Sequence, residues 1–472
     1  MKRNEKRTSL LIRDTGLFAV SSFGSKILIF LLTPLYTSIL TTEEYGIADL
    51  ITTTINFIYP VLTLAIADAT LRFALESEKD KSKVLNNSLF LTVLSILVLL
   101  CLYPFFLIIG LDISRYWVVF VITYSLFNIH NCLSNFIKAI GRTGLFAAQG
   151  LLQTVTIIIC NIVLLIFLKR GLEGYLVSII IGYCIPIIFI VARGRLGQYL
   201  FPFKVDKILL FEMLKYSIPM IPTLLAWAIN TSIDKYMIIY MVGMSESGIY
   251  SVAHKIPTIF TTIMAIFTQA WQLSAISNYG SSDESEYHTV VYNGLNTISV
   301  IGCMGIIGLS RAFSWLLFAN DFFAAWRYVP FLTVSAMFAS HGGFLASEFR
   351  AAKKTDALFA SVIVGSVTNI ILNWICIRAF GAFGAALATA VSFIIIWLFR
   401  FIMIQRIITI HINGLNTVIC YVLFIIEALY VSFDLKYSVI VVPVLVIAVI
   451  VLNWHEVLSI VHGIKRVLTQ RR

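Results

Sequence analysis

Charge is what this chain is short of. Asp, Glu, Lys and Arg make up 12% of its 472 residues, about half the share of an ordinary soluble domain, which is roughly 25%. Hydrophobic residues make up 59%. So few charges cannot cover a soluble surface of this size, which leaves an integral membrane protein. Nucleotide and metal motifs are missing too. No G-x-x-x-x-G-K-[ST] occurs, so there is no P-loop for ATP hydrolysis. His455-Glu456 is followed by His462 and not by a histidine at zinc-protease spacing. The seven cysteines lie in or beside apolar runs and never as C-x-x-C, which makes them small packing residues. No large loop stands on the outer face to hold two long acceptors, which argues against a polysaccharide polymerase or ligase.

The apolar runs are about 17–25 residues long, the length of helices crossing a core of about 30 Å; barrel strands alternate over about ten. The fold class expected is all-α, with about fourteen transmembrane spans: 15–40, 45–68, 88–109, 117–137, 145–168, 174–192, 217–242, 248–275, 289–309, 329–349, 357–377, 382–403, 415–433 and 437–453. The basic start resembles a signal peptide, but the run behind it carries Lys26 and shows no small-x-small cleavage site, so it reads as a retained first span.

A repeat organises these spans. KAIGRTG, an apolar run with Asn161, and Gly171-x-x-Gly174 are followed later by AAKKTDA, a run with Asn373, and Gly381-x-x-Gly384. Thr143 and Thr355 are 212 residues apart, as are Asn161 and Asn373; the glycine pairs are 210 apart. TTEEYGI around Gly46 and SESGI around Gly248 add a further pair. The division expected is a six-helix bundle over 1–192, an amphipathic linker over 193–216, a second six-helix bundle over 217–406, and two extra helices with a basic tail over 407–472. Six spans per half make the repeat parallel, with a cavity between the halves. In the linker, Asp206 suits an N-cap, and Ile208, Leu209, Phe211 and Leu214 can share a face toward the membrane interface.

Counting Lys and Arg by loop places about 25 of the 35 on one face. By the positive-inside rule that face, with both termini, is cytoplasmic. This bias accounts for most of the net charge of +11, which needs no nucleic-acid partner.

Ionisable groups at membrane depth are the candidates for function, because each costs about 2.5–3.5 kcal/mol at a helix centre. Lys26, Lys235 and Lys255 lie inside spans, and with Arg72 they form a candidate set of substrate-binding cations. Asp234, Asp68 and Glu348 are the candidates for ion coupling; Glu427 lies in the extra helices. Pro34, Pro219, Pro222 and Pro257 interrupt spans, which is tolerated where backbone lines a cavity. No cofactor, metal or catalytic residue is expected beyond coupling to H⁺ or Na⁺.

PLYTSILTTEEYGIADL, DATLRF at 68–73, TSIDKYMI at 231–238, QAWQ at 269–272 and ILNWICIRAFGAFGAALATA at 371–390 together resemble the Wzx-type oligosaccharide flippases of the superfamily that holds the multidrug and toxin extrusion transporters and the lipid II flippases. The resemblance covers roughly 10–410. It implies two six-helix bundles around a central cavity. It implies transport of an undecaprenyl-pyrophosphate-linked oligosaccharide to the outer leaflet of the bacterial inner membrane, for O-antigen, capsule or exopolysaccharide. It implies partners among membrane lipids, a polysaccharide polymerase and a chain-length regulator. The alternative on the same fold is a cation-coupled multidrug antiporter, which would favour buried carboxylates over buried lysines.

Overall fold

The computed structural model describes residues 24–458 apart from 25–26, 29, 77–79, 110–111, 279–283 and 353. The regular structure of the described residues is helical, without a strand. Contacts divide the chain into two units, Met1–Ser232 and Ile233–Arg472.

In the first unit, Thr33–Ile39 leads into α1 (Thr42–Leu62). A capping box starts α1: Thr41 Oγ1 accepts from the Glu44 amide at 3.1 Å, and Glu44 Oε2 accepts from the Thr41 amide at 2.9 Å. The span then breaks. Leu64 and Ala65 take left-handed φ angles of 53° and 51°, and α2 (Ile66–Leu75) departs at 61°. Then come α3 (Lys81–Cys101), α4 (Trp117–Ala139), α5 (Thr143–Asn161, prolonged by a π-helical stretch to Phe167) and α6 (Gly171–Arg193). Ala69, Val84, Cys132, Phe136 and Ile190 form a core where α2, α3, α4 and α6 meet.

The helix that follows the expected linker's first half is α7 (Lys207–Ser217), within the first unit. Asp206 caps it, accepting from the amides of Ile208 and Leu209, and also accepts 2.9 Å from Lys83 Nζ on α3. The apolar residues of α7 divide between two directions. Leu209 and Met213 join the first unit's core, while Ile208 and Phe211 are 77% and 71% exposed. The helix therefore has one apolar edge on the bundle and another turned away from it. Through Ile218–Met220 it continues into α8 (Ile221–Met241), so linker and next span form one apolar stretch, Lys207–Met241.

The second unit begins within α8, at Ile233, and continues with α9 (Met244–Ala253) and α10 (Lys255–Asn278), a second broken span bent by 41°. Gly46 and Gly248 are both buried, each four residues into the first segment of a broken span. The remaining long helices are α11 (Glu284–Gly308), α12 (Val329–Ala351), α13 (Thr355–Phe380), α14 (Ala382–Ile404), α15 (Gly414–Ser432) and α16 (Ser438–Leu452). α12 is buried along most of its length, which its run of Ser, Ala and Gly allows by letting neighbouring backbones approach.

The repeated landmarks occupy matching places in the hairpins α5–α6 and α13–α14. Gly171 and Gly381 both turn the chain with positive φ, 50° and 60°. A side chain at Gly174 would stand 2.9 Å from Arg170 Cβ, and one at Gly384 would stand 2.0 Å from the Cys376 carbonyl oxygen. Asn161 and Asn373 are both fully buried.

Among the described residues, ten helices are long and apolar enough to cross a membrane, or twelve when each bent pair counts as one span. The count of fourteen is consistent with this. Twelve of the 26 residues of the expected first span lie outside the described residues, and the last, Ser438–Leu452, has only fifteen residues.

Candidate functional site

Three polar clusters interrupt the apolar helices, one in the first unit and two in the second.

The first is a cavity of about 430 Å³ lined from α1, α4, α5 and α6. Asn56, Asn131, Asn135, Gln149 and Gln153 supply carboxamides; His130, Ser134 and Tyr59 add further polar groups; Phe127, Phe146 and Tyr183 supply aromatic faces. Among the described residues, no Asp, Glu, Lys or Arg lines it. His130 Nε2 lies 2.6 Å from Gln149 Oε1, and Asn135 Nδ2 donates to Asn131 Oδ1 at 3.2 Å. The Phe127 and Tyr183 rings meet edge to face, 5.9 Å apart. Carboxamides both donate and accept, so the cavity presents uncharged hydrogen-bonding groups beside flat apolar surface. A search confined to ionisable residues misses all of these. Their signal is an amide every fourth residue in an apolar helix: Asn131 and Asn135, Gln149 and Gln153.

The second cluster surrounds Asp234 on α8, which is 1% exposed. Its Oδ2 accepts from the Tyr250 hydroxyl of α9 at 2.6 Å and from Thr389 Oγ1 of α14 at 3.4 Å; its Oδ1 accepts from the Lys235 amide at 2.9 Å. Asn369 Nδ2 reaches Thr389 Oγ1 at 3.5 Å, and Asn373 Nδ2 donates to Asn369 Oδ1 at 3.0 Å. Asn373 Oδ1 is buried without a hydrogen-bond partner. The repeat's asparagine therefore belongs to a buried chain ending on a carboxylate. Carboxylate, hydroxyl and amide oxygens are the donors that hard cations take. Among the described residues, no three His, Cys, Asp or Glu side chains gather as a metal site.

The third cluster surrounds Glu348 on α12, which is fully buried. Trp271 Nε1 of α10 donates to Glu348 Oε1 at 2.6 Å, and His288 Nε2 of α11 is 2.9 Å from Oε2. His288 stands 60 residues before Glu348 in a stretch, SEYHTV, that reads as a polar turn. Only the distant QAWQ segment, which contains Trp271, stands out in the sequence.

Of the predicted cations, Lys26 lies outside the described residues. Lys255 is half-buried and is the first residue after the bend between α9 and α10. Lys235 is half-buried beside Asp234. Arg72, at the exposed end of α2, is 3.6 Å from Glu76. Asp68 is half-buried on α2, just past the bend at Leu64–Ala65. Asp234 and Glu348 belong to separate clusters with no hydrogen-bond partner in common.

Solved structures of similar fold are transporters. A structure described as the lipid II flippase MurJ in an inward closed conformation matches with a TM-score of 0.71 at 16% identity, over 95% of this chain and 99% of that one. An inward-facing multidrug resistance MATE transporter of the MOP superfamily matches with a TM-score of 0.64 at 14% identity, over 81% and 95%. A MOP superfamily transporter from Pyrococcus furiosus, described as having a binding pocket of reversed polarity, matches with a TM-score of 0.57 at 14% identity, over 84% and 95%. At such identities the likeness is one of fold. In sequence, an uncharacterized membrane protein of Methanocaldococcus jannaschii is 24% identical over 261 residues, which is 52% of this chain and 61% of that relative's length. The family model for polysaccharide biosynthesis proteins matches residues 11–272. That match spans more than half of the chain, including both segments of the first broken span, the amide-lined cavity and Asp234, and the chain belongs to this family of polysaccharide biosynthesis proteins.

Proposed function

We propose that the protein flips an undecaprenyl-pyrophosphate-linked oligosaccharide from the cytoplasmic to the outer leaflet of the bacterial inner membrane by alternating access, for O-antigen, capsule or exopolysaccharide assembly. Both termini are cytoplasmic in this reading. A polymerase and a chain-length regulator act on the product. The family and the fold shared with a lipid II flippase support it. The observation that carries it is the amide-lined cavity of the first unit. A sugar offers hydroxyls that donate and accept over short distances, and carboxamides answer both needs without net charge. Rings of Phe127 and Tyr183 offer the flat apolar contact that a sugar's C–H face takes.

The pyrophosphate needs positive charge at membrane depth. Lys235 and Lys255 supply it in the second unit, as Lys26 and Arg72 do in the first. Asp234 is the coupling carboxylate, taking a proton or a sodium ion as its hydrogen-bonded chain is made and broken, with Asp68 and Glu348 as further coupling groups. No catalytic residue is assigned.

The test replaces Asn131 and Gln149 by Leu, singly and together, and measures membrane abundance and surface polysaccharide. The shape is nearly kept while the donors and acceptors are lost. Abundance near the parent level with polysaccharide reduced about tenfold is expected, since a site built to bind hydroxyls loses most when its polar groups go. Full export by the double variant would sink the reading. The second reading, a cation-coupled multidrug antiporter, draws on the buried carboxylate of Asp234 and on the MATE-like fold. Greater drug sensitivity in a deletion strain, with surface polysaccharide intact, would favour it.

A further inference from the structure

The His288–Glu348 contact has a proton count that geometry alone fixes. His288 Nδ1 lies 2.6 Å from the Glu284 carbonyl oxygen. A carbonyl only accepts, so Nδ1 carries hydrogen. In the neutral tautomer Nε2 then bears a lone pair, and it faces Glu348 Oε2 at 2.9 Å. Neither Nε2 nor Oε2 has any other hydrogen-bond partner, and both are buried. Without a proton between them, two lone pairs would oppose each other in a site closed to water, a cost of several kcal/mol for a buried unpaired charge. One proton therefore occupies the contact, as imidazolium with carboxylate or as imidazole with carboxylic acid. Trp271 holds the second carboxyl oxygen in place.

Nothing else near the contact can take that proton's part. Glu348 has no Lys or Arg within ion-pair distance among the described residues. Arg350, on its own helix, reaches Gln272 Oε1 at 3.4 Å. Arg400 on α14 is bonded through Nε to Ser361 and through Nη1 to the Gly342 carbonyl, each at 2.8 Å. The other titratable side chains toward this end are Glu284, Glu286, Tyr287 and Tyr292 on α11, His341 on α12, Lys354 and Asp356 at the start of α13, and Arg406 and His411 beyond α14, where the His411 backbone bonds Thr289 and Asn293 of α11. Lys255 lies sixteen residues before Trp271 on α10, about 24 Å away along a helix. Glu427 of α15 sits by Gly308, at the far end of α11.

We infer that His288 and Glu348 form a proton-binding site, distinct from Asp234, whose occupancy holds α10, α11 and α12 together. Each partner comes from a different helix, and α10 is the distal segment of a broken span. With the proton present the pair is neutral and its helices stay closed. With the proton lost, a buried negative charge and an opposed lone pair separate α11 from α12 and admit water. The role of this opening in transport rests on the flippase reading; the proton site itself does not.

The test is amide hydrogen exchange on the full-length protein in lipid nanodiscs across a pH series, corrected for the intrinsic pH dependence of exchange. The parent protein is expected to lose protection at 284–292 and 344–352 in a one-proton step as pH rises, by about tenfold, a typical range for local opening. Glu348→Gln should remove the step, because a carboxamide donates to Nε2 with no proton to lose. His288→Gln should remove it too. A parent protein without the step, or a Glu348→Gln variant that retains it, overturns the inference. The measurement needs no substrate, so failure of the flippase reading would leave it standing.

Discussion

Tyr250 donates a 2.6 Å hydrogen bond to Asp234, sixteen residues earlier, and both side chains are buried in the second unit. The bond ties α9, the first half of a broken span, to α8. Removing the hydroxyl in Tyr250→Phe is expected to cost about 1.5–3 kcal/mol, the worth of a hydrogen bond to a charged group, and to lower the temperature of thermal aggregation in detergent. Asp234→Asn keeps an acceptor for Tyr250 but removes the ionisable group. One amide oxygen then replaces two carboxylate oxygens that face three donors, so some stability is lost, while surface polysaccharide per unit of membrane protein should fall about tenfold or more, as befits a membrane carboxylate that serves function. Normal export by Asp234→Asn would remove Asp234 from coupling.

Lysine replacements separate charge from packing. Lys255→Ala should leave membrane abundance near normal and cut surface polysaccharide, whereas Lys255→Arg should retain part of it, since the positive charge survives with altered geometry. The same pair of changes at Lys26 and Lys235 is expected to follow the same order. Full export by a Lys26→Ala, Lys255→Ala double variant would take the cations out of the mechanism.

Gly384 admits no side chain. A Cβ there would lie 2.0 Å from the Cys376 carbonyl oxygen, so α13 and α14 would have to part. Gly384→Ala is expected to destabilise by about 1–3 kcal/mol, the usual cost of overpacking. Gly302→Ala on α11 meets nothing within 4 Å and serves as the control. Equal melting of the two variants in a detergent thermal-shift assay would contradict the close packing.

The linker carries its own pH dependence. The Lys83 ammonium beside Asp206, helped by the Leu209 amide, holds the Asp206 carboxyl below the usual carboxylate range. A depressed folded value stabilises the cap fully above the unfolded carboxylate value of about 3.9, and that stabilisation is lost as pH falls through the folded value. Exchange at Ile208 and Leu209, after correction, should therefore stay flat down to about pH 4 and rise only below it. Asp206→Asn should remove this acid-dependent rise. A rise beginning near neutral pH in the parent would contradict the assignment.

What could be read in advance follows from which forces leave a local signature. Long apolar runs, the cap at Asp206 and the glycine turns at Gly171 and Gly381 are local, and the sequence shows them. The bend between α1 and α2 is not: Leu64 and Ala65 are poor choices for left-handed backbone, and Pro60, four residues earlier, is the one breaker nearby. The packed face of α7 could not be chosen from periodicity, because Ile208 and Phe211 match Leu209 and Met213 in apolarity; the neighbouring bundle decides. The amide-lined cavity escaped a search framed by charge. The partner of Glu348 escaped because sixty residues separate it from His288, and only tertiary packing brings them within 2.9 Å.

A duplicated chain holds a spare of every part, and the two asparagines show what a spare permits. Asn161 is a clasp: it donates to the Tyr36 hydroxyl at 3.1 Å and accepts from Ser178 at 3.0 Å, pinning α5 to its neighbours. Asn373 donates along its own helix to Asn369 and leaves its carbonyl oxygen unpartnered. One copy does the holding, so the other is released from it. The same residue at the same place in the repeat is thus a rivet in one copy and, if the proposed coupling at Asp234 holds, a working part in the other, so that a chain of this kind could gain a transport chemistry in one copy without first surrendering the scaffold in the other.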